Sequence, residues 1–181
     1  IRAANIAIGQ GVSVTTLQMA SVFQTIANGG VRVEPRIVRS VTAPDGQVRQ
    51  AEEPETTRVI SEATADSLAY MLEAVVGPGG TAPLGQIEGF RVAGKTGTAQ
   101  RANPETGRYE GGGYVTTFVG FAPADDPQYV VAVDLERPTS SAEGGQVAAP
   151  VFADILRYAL TADGVVPSGT PRPDFVLTPT R

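Results

Sequence analysis

One lysine carries most of the chemistry this sequence can offer. Lys95 lies in Gly89-Phe90-Arg91-Val92-Ala93-Gly94-Lys95-Thr96-Gly97-Thr98-Ala99-Gln100, a stretch that satisfies two patterns at once. Gly89, Gly94, Lys95 and Thr96 fit G-x-x-x-x-G-K-[ST], in which backbone amides and the lysine cradle phosphates. Lys95, Thr96 and Gly97 form the Lys-Thr-Gly triplet used in serine acyl transfer. The flanks decide between them. A phosphate loop needs a strand before its first glycine and a helix opening at the lysine. Upstream, Pro83-Leu84-Gly85-Gln86-Ile87-Glu88 is too short and glycine-broken for a buried strand, and downstream Gly97, Pro104 and Gly107 do not sustain a helix. Val130-Val131-Ala132-Val133-Asp134 resembles the strand that accompanies phosphate loops, but any buried strand has that look. Lys95 is therefore expected on a strand.

The chain has thirteen Arg and this one Lys, and it has no Cys and no His. Cysteine nucleophiles, histidine bases and the usual zinc ligand sets are excluded. An exposed strand lysine is the bland reading of Lys95. Against it, a compact ammonium was retained where arginine serves everywhere else, and the two are not interchangeable where a pKa must shift. On a strand, Lys95, Gly97 and Ala99 face one way and Thr96, Thr98 and Gln100 the other. Gly97 lets another backbone approach, and the ammonium and hydroxyls suit a peptide carboxylate.

The surrounding elements must hold that strand. Leu17, Met19, Ala20, Phe23, Ile26 and Ala27 recur near helical spacing between hydroxyl residues and Asn28-Gly29-Gly30, which predicts a helix over about 15–28. Ser61 can cap a second helix whose face holds Ala65, Leu68, Met71, Leu72, Val75 and Val76. Ala43-Pro44-Asp45-Gly46 predicts a surface hairpin. Strands are expected over 90–100, 114–121 and 128–136, paired in sequence order, and a covering helix over 148–160 carries Val151, Phe152, Ile155, Leu156 and Leu160 on one side. Phe118, Phe121, Phe152 and Tyr158 have the spacing of core residues. Asp134 and Glu136 read as a solvated strand face, and Gly9-Gln10-Gly11 as a loop feeding a helix cap. The fold class is α+β, an antiparallel sheet covered by helices.

Gly and Pro make up 35 of 181 residues, well above the roughly 12% usual in proteins, so short elements alternate with many turns. The net charge of -5 and scattered basic residues argue against nucleic acid. No run approaches the ~20 apolar residues that span a bilayer. The first residues, Ile1-Arg2-Ala3-Ala4-Asn5, are no signal peptide and lack an initiating Met, so a segment of a longer polypeptide is expected. Residues 1–162 form the domain, and the Pro-rich residues 163–181 an extended, flexible tail.

Ile8-Gly9-Gln10-Gly11-Val12-Ser13-Val14-Thr15 running into Leu17-Gln18-Met19-Ala20, then Ala27-Asn28-Gly29-Gly30, Gly94 to Gln100, Phe118-Val119-Gly120-Phe121-Ala122-Pro123 and Ala149-Pro150-Val151-Phe152, taken in this order, resemble class B penicillin-binding proteins. The likeness is greatest to the septal peptidoglycan synthases and covers the C-terminal half of their transpeptidase domain, a partial domain of the serine β-lactamase-like fold. It implies a D,D-transpeptidase that cross-links peptidoglycan stem peptides through an acyl-serine and is acylated by β-lactams, with no cofactor and no metal. Lys95 would bind the terminal carboxylate and tune proton transfer. Thr96 and Thr98 would hydrogen-bond that carboxylate, the Thr98 backbone N–H would serve as an oxyanion donor, and Gly97 would keep the strand open. The implied partners are D-Ala-D-Ala stem peptides, β-lactams, the rest of the polypeptide, and division or elongation proteins including a glycan polymerase. The implied place is extracytoplasmic, anchored through an upstream segment. D,D-carboxypeptidases and β-lactamases share the triplet, and a penicillin-sensing domain that does not turn over is a third possibility. S-x-x-K is impossible here, because Val92 stands three before the sole lysine, and no Asn has Ser two residues earlier. The nucleophile and its relay are expected upstream.

Overall fold

The structure, a computed structural model, describes residues 12–175. Helix α1 spans Thr16–Ala27, and Thr15 begins it with a capping box: its hydroxyl accepts the Gln18 N–H while the Gln18 side chain accepts the Thr15 N–H. Three-residue strands follow, β1 (Val31–Val33), β2 (Ser40–Thr42), β3 (Val48–Gln50) and β4 (Thr56–Arg58). β2 and β3 form the expected hairpin, with Gly46 at φ +85° where a side chain would be strained. The antiparallel β1–β4 pair is an addition that the sequence did not signal. Ser61 then caps α2 (Glu62–Glu73), accepting the Thr64 N–H at 3.2 Å.

The main sheet has the expected order, β5 (Ala93–Gln100), β6 (Tyr114–Ala122) and β7 (Tyr129–Glu136), antiparallel throughout. Helix α3 (Gly144–Ala162) crosses one face. It begins four residues before the sequence predicts, through Gly144 and Gly145, both poor helix formers placed there by packing. Its Phe152, Leu156 and Leu160 are wholly buried against Phe118, Val92 and Val133 of the sheet. Each such side chain contributes about 2 kcal/mol of apolar burial. The Phe118 and Phe152 rings meet with centroids 4.6 Å apart. Gly94 makes room for this pair, since a Cβ there would lie 2.6 Å from the Phe118 ring. On the opposite face Val119 and Phe121 pack with Phe23, Met19 and Ile26 of α1 and Leu72 of α2. The result is a three-layer arrangement, helix on sheet on helices.

Some residues expected inside are outside. Tyr158 is 76% exposed, because it lies two residues beyond Leu156 and so nearly across the helix from it. Val151 and Ile155 flank the buried stripe of α3 and are half exposed, as are Leu17 of α1 and Met71 of α2. Beyond α3 the Pro-rich segment has no helix or strand as far as residue 175. It runs back over the domain, where Ser168 and Thr170 donate hydrogen bonds to Asp125 and Phe175 meets Tyr70 at 4.8 Å between ring centroids. Gly9, Gln10 and Gly11 lie outside the described residues.

Candidate active site

The phosphate-loop geometry is absent around Lys95. Pro83–Gly85 is a single 3₁₀ turn, Gly89 turns the chain at φ +82°, and β5 continues as strand through Gln100. The lysine therefore sits in the middle of a strand, as the flanks predict.

β5 pairs with β6 alone, which leaves its other edge unpaired among the described residues. The direction of each amide follows from one hydrogen bond. Arg101, just past β5, donates its N–H to the Gly113 carbonyl across the pair at 2.9 Å. The register from Ala93↔Phe121 to Gln100↔Tyr114 is unbroken, and strand amides alternate. The N–H and C=O groups of Lys95, Gly97 and Ala99 thus face β6, and those of Thr96 and Thr98 face the open edge.

Lys95 is exposed, and its ammonium reaches over that edge to donate to the Thr96 carbonyl at 3.0 Å, with the Thr96 hydroxyl at 3.4 Å. A flexible cation, a hydroxyl and an outward backbone N–H are brought to one rim. This combination can hold a carboxylate or a developing oxyanion. The Thr81 hydroxyl stands 3.4 Å from that of Thr96, a neighbour that sequence distance hides. Thr98 is exposed, and its hydroxyl donates to the Ala142 carbonyl at 3.1 Å.

Gly97 has a second reason for lacking a side chain. A Cβ there would lie 2.3 Å from the Thr117 hydroxyl oxygen, which occupies the space over the glycine on the Lys95 face. On the other face Gly144 backs on the same residue: a Cβ at 144 would stand 2.4 Å from the Thr117 carbonyl and 2.9 Å from that of Gly97. The Gly144-Gly145 pair before an apolar helical pattern was the available sequence signal for this contact. Asp134, read as solvated, accepts a hydrogen bond from Thr16 at the start of α1, and Glu136 pairs with Arg101 at 3.5 Å. Both side chains are exposed, as a solvated strand face requires.

A family model described as the penicillin binding protein transpeptidase domain matches residues 1–157. Penicillin-binding protein PbpB of Mycolicibacterium smegmatis is 47% identical over 97% of the chain, and stage V sporulation protein D of Bacillus subtilis is 39% identical over 92%. The chain spans 28% and 26% of the lengths of these relatives. Penicillin binding protein 3 of Mycobacterium tuberculosis, solved in complex with ampicillin, superposes with a TM-score of 0.89 at 43% identity, covering 98% of this chain and 41% of that one. The strand that bears the lysine therefore sits in a fold shared with an ampicillin-binding protein, and this chain belongs to the penicillin-binding protein transpeptidase domain family.

Proposed function

We propose that this chain is the Lys-Thr-Gly wall of a peptidoglycan D,D-transpeptidase, with the serine nucleophile, its lysine base and the Ser-x-Asn relay contributed by sequence outside it. In this reading the serine oxygen attacks the penultimate D-Ala carbonyl of a stem peptide. The amide bond breaks, the terminal D-Ala leaves with the proton on its amine, and an acyl-serine remains. An amine from a neighbouring strand then attacks the ester and regenerates the serine. β-Lactams enter the first step and stop there. Residues 1–162 belong to that domain, and 163–181 form its tail.

The observation that carries the proposal is the convergence of the Lys95 ammonium, the Thr96 hydroxyl and the outward Thr98 N–H on the unpaired edge of β5. Lys95 pairs with the terminal carboxylate and tunes proton transfer. Thr96 and Thr98 add hydrogen bonds to it, and the Thr98 N–H stabilises the oxyanion as one of two donors. A peptide aligned along the edge completes the sheet beside β5. No helix among the described residues is long and apolar enough to cross a membrane. In this reading the protein's place is extracytoplasmic, held by an anchor in sequence outside this chain, and its other partners are division or elongation proteins with a glycan polymerase.

Acylation of the longer polypeptide by a fluorescent penicillin tests this. Lys95→Ala should slow it on the order of a hundredfold, the scale of losing one preorganised charge or donor. The fold should survive, because the side chain is exposed. A near-wild-type rate in Lys95→Ala would remove the site assignment.

A further inference from the structure

The Thr98 hydroxyl has a single proton, and the Ala142 carbonyl holds it at 3.1 Å. The same carbonyl accepts a second hydrogen bond, 2.9 Å, from the hydroxyl of Thr116. Thr116 stands directly opposite Thr98 in the β5–β6 register and is completely buried, whereas Thr98 is exposed. Two adjacent strands thus hold one carbonyl of the loop 137–143, which joins β7 to α3.

That loop is also fixed at both ends. Arg137 enters it in the left-handed region, at φ +51°, and donates its N–H to the Tyr114 carbonyl at 2.8 Å. A non-glycine residue keeps such a conformation only where its surroundings enforce it. At the far end Gly144 lies so close to Thr117 and Gly97 that no side chain fits. The Ala142 carbonyl cannot follow Thr98 if its hydroxyl turns away.

A carboxylate at the open edge of β5 accepts hydrogen bonds and donates none. To bind it, Thr98 must withdraw its proton from Ala142. We infer that Thr116 is a positioning residue for this exchange: its hydrogen bond keeps the Ala142 carbonyl satisfied and the loop in place while Thr98 turns to the ligand. Without Thr116, releasing Thr98 would strip the carbonyl of both these hydroxyl partners, an unfavourable step comparable to leaving a polar group unpaired. The inference rests on the proposed role of Thr98 as a carboxylate donor.

A double-mutant cycle in the longer polypeptide tests it, with acylation by a fluorescent penicillin measured across concentration to separate half-saturation from the limiting rate. Thr116→Val should raise the half-saturating concentration about tenfold, the size of one lost hydrogen bond, and leave the limiting rate nearly unchanged. Thr116→Ser should restore wild-type binding. In a Thr98→Val background, Thr116→Val should add little, because no hydroxyl remains to be released. If Thr116→Val fails to fold, as judged by circular dichroism, Thr116→Ala takes its place in the cycle. Wild-type binding in the Thr116 variant beside impaired binding in Thr98→Val would overturn the inference alone, as would additive losses in the double variant. Wild-type binding in Thr98→Val would overturn the reading of Thr98 beneath it, and the inference with it.

Discussion

Asp125 is a carboxylate at which three parts of the chain meet. Arg91 stands 4.0 Å away and itself holds Glu73 of α2 through two hydrogen bonds, 2.6 and 2.9 Å, while Ser168 and Thr170 reach Asp125 from the Pro-rich segment. The Glu73 hydrogen bond, opposed by burial, keeps the Arg91 guanidinium firmly protonated. For Asp125, burial pushes the carboxyl up, but the hydroxyl and backbone hydrogen bonds and the Arg91 charge outweigh it and hold it below its usual range. A folded-state pKa below the unfolded one stabilises the protein above the unfolded value, about 4, and that stability is lost as pH falls through the lower folded value. Asp125→Asn should thus destabilise the protein by about 1–2 kcal/mol near neutrality, the scale of hydrogen bonds to a charged group. Melting curves of the two proteins should converge as pH is lowered toward 3. A gap that stays constant from pH 7 to 3 would show that the carboxylate's charge does not contribute.

At the scale of elements, the start of α3 is the tightest joint in the molecule. A side chain at Gly144 would press on backbone carbonyls of both β5 and β6, which cannot swing aside as a side chain could. Gly144→Ala raises intrinsic helix propensity, and on that ground alone it would be stabilising. Overpacking against backbone costs about 1–3 kcal/mol and outweighs the propensity gain. Chemical denaturation should therefore show a net loss, whereas Gly46→Ala in the hairpin, where nothing lies within 4 Å, would register only its left-handed backbone strain. A stabilised Gly144→Ala protein would mean that α3 is free to shift from the sheet.

At the scale of the whole molecule, the proposed function makes this site one wall of an active centre and not a complete one. Its sequence contains no Ser-x-x-Lys and no Ser-x-Asn, and the chain spans 28% of the length of its M. smegmatis relative. Lysine, threonine and an open strand edge can bind an anion, but they supply no activated nucleophile. The 181-residue chain expressed by itself should take up no fluorescent penicillin that survives denaturation in a gel. A covalently labelled band would require a nucleophile within these residues and would end the reading of a divided site.

The sequence by itself determined that helices lie near 16–27 and 62–73, though the second stops at Glu73, short of the expected Val75 and Val76, and it determined the three strands of the sheet and the choice of a strand over a phosphate loop at Lys95. Those features are local: apolar residues recur at the period of the element, hydroxyls cap it, and Gly97, Pro104 and Gly107 forbid a helix within the stretch that would need one. Only the tertiary structure decided that β5 has an open edge among the described residues, that the Thr98 N–H faces out from it, and that Thr98 and Thr116 share one carbonyl. It also decided that α3 begins at two glycines, that Tyr158 is exposed, and that β1 pairs with β4. Each of these depends on which distant segment lies alongside. Thr98 and Ala142 are 44 residues apart, and strands of three residues carry too little periodicity to announce a partner. The residues of the candidate rim were legible because they are adjacent in the chain, whereas what holds and faces them is set by contacts that folding alone creates.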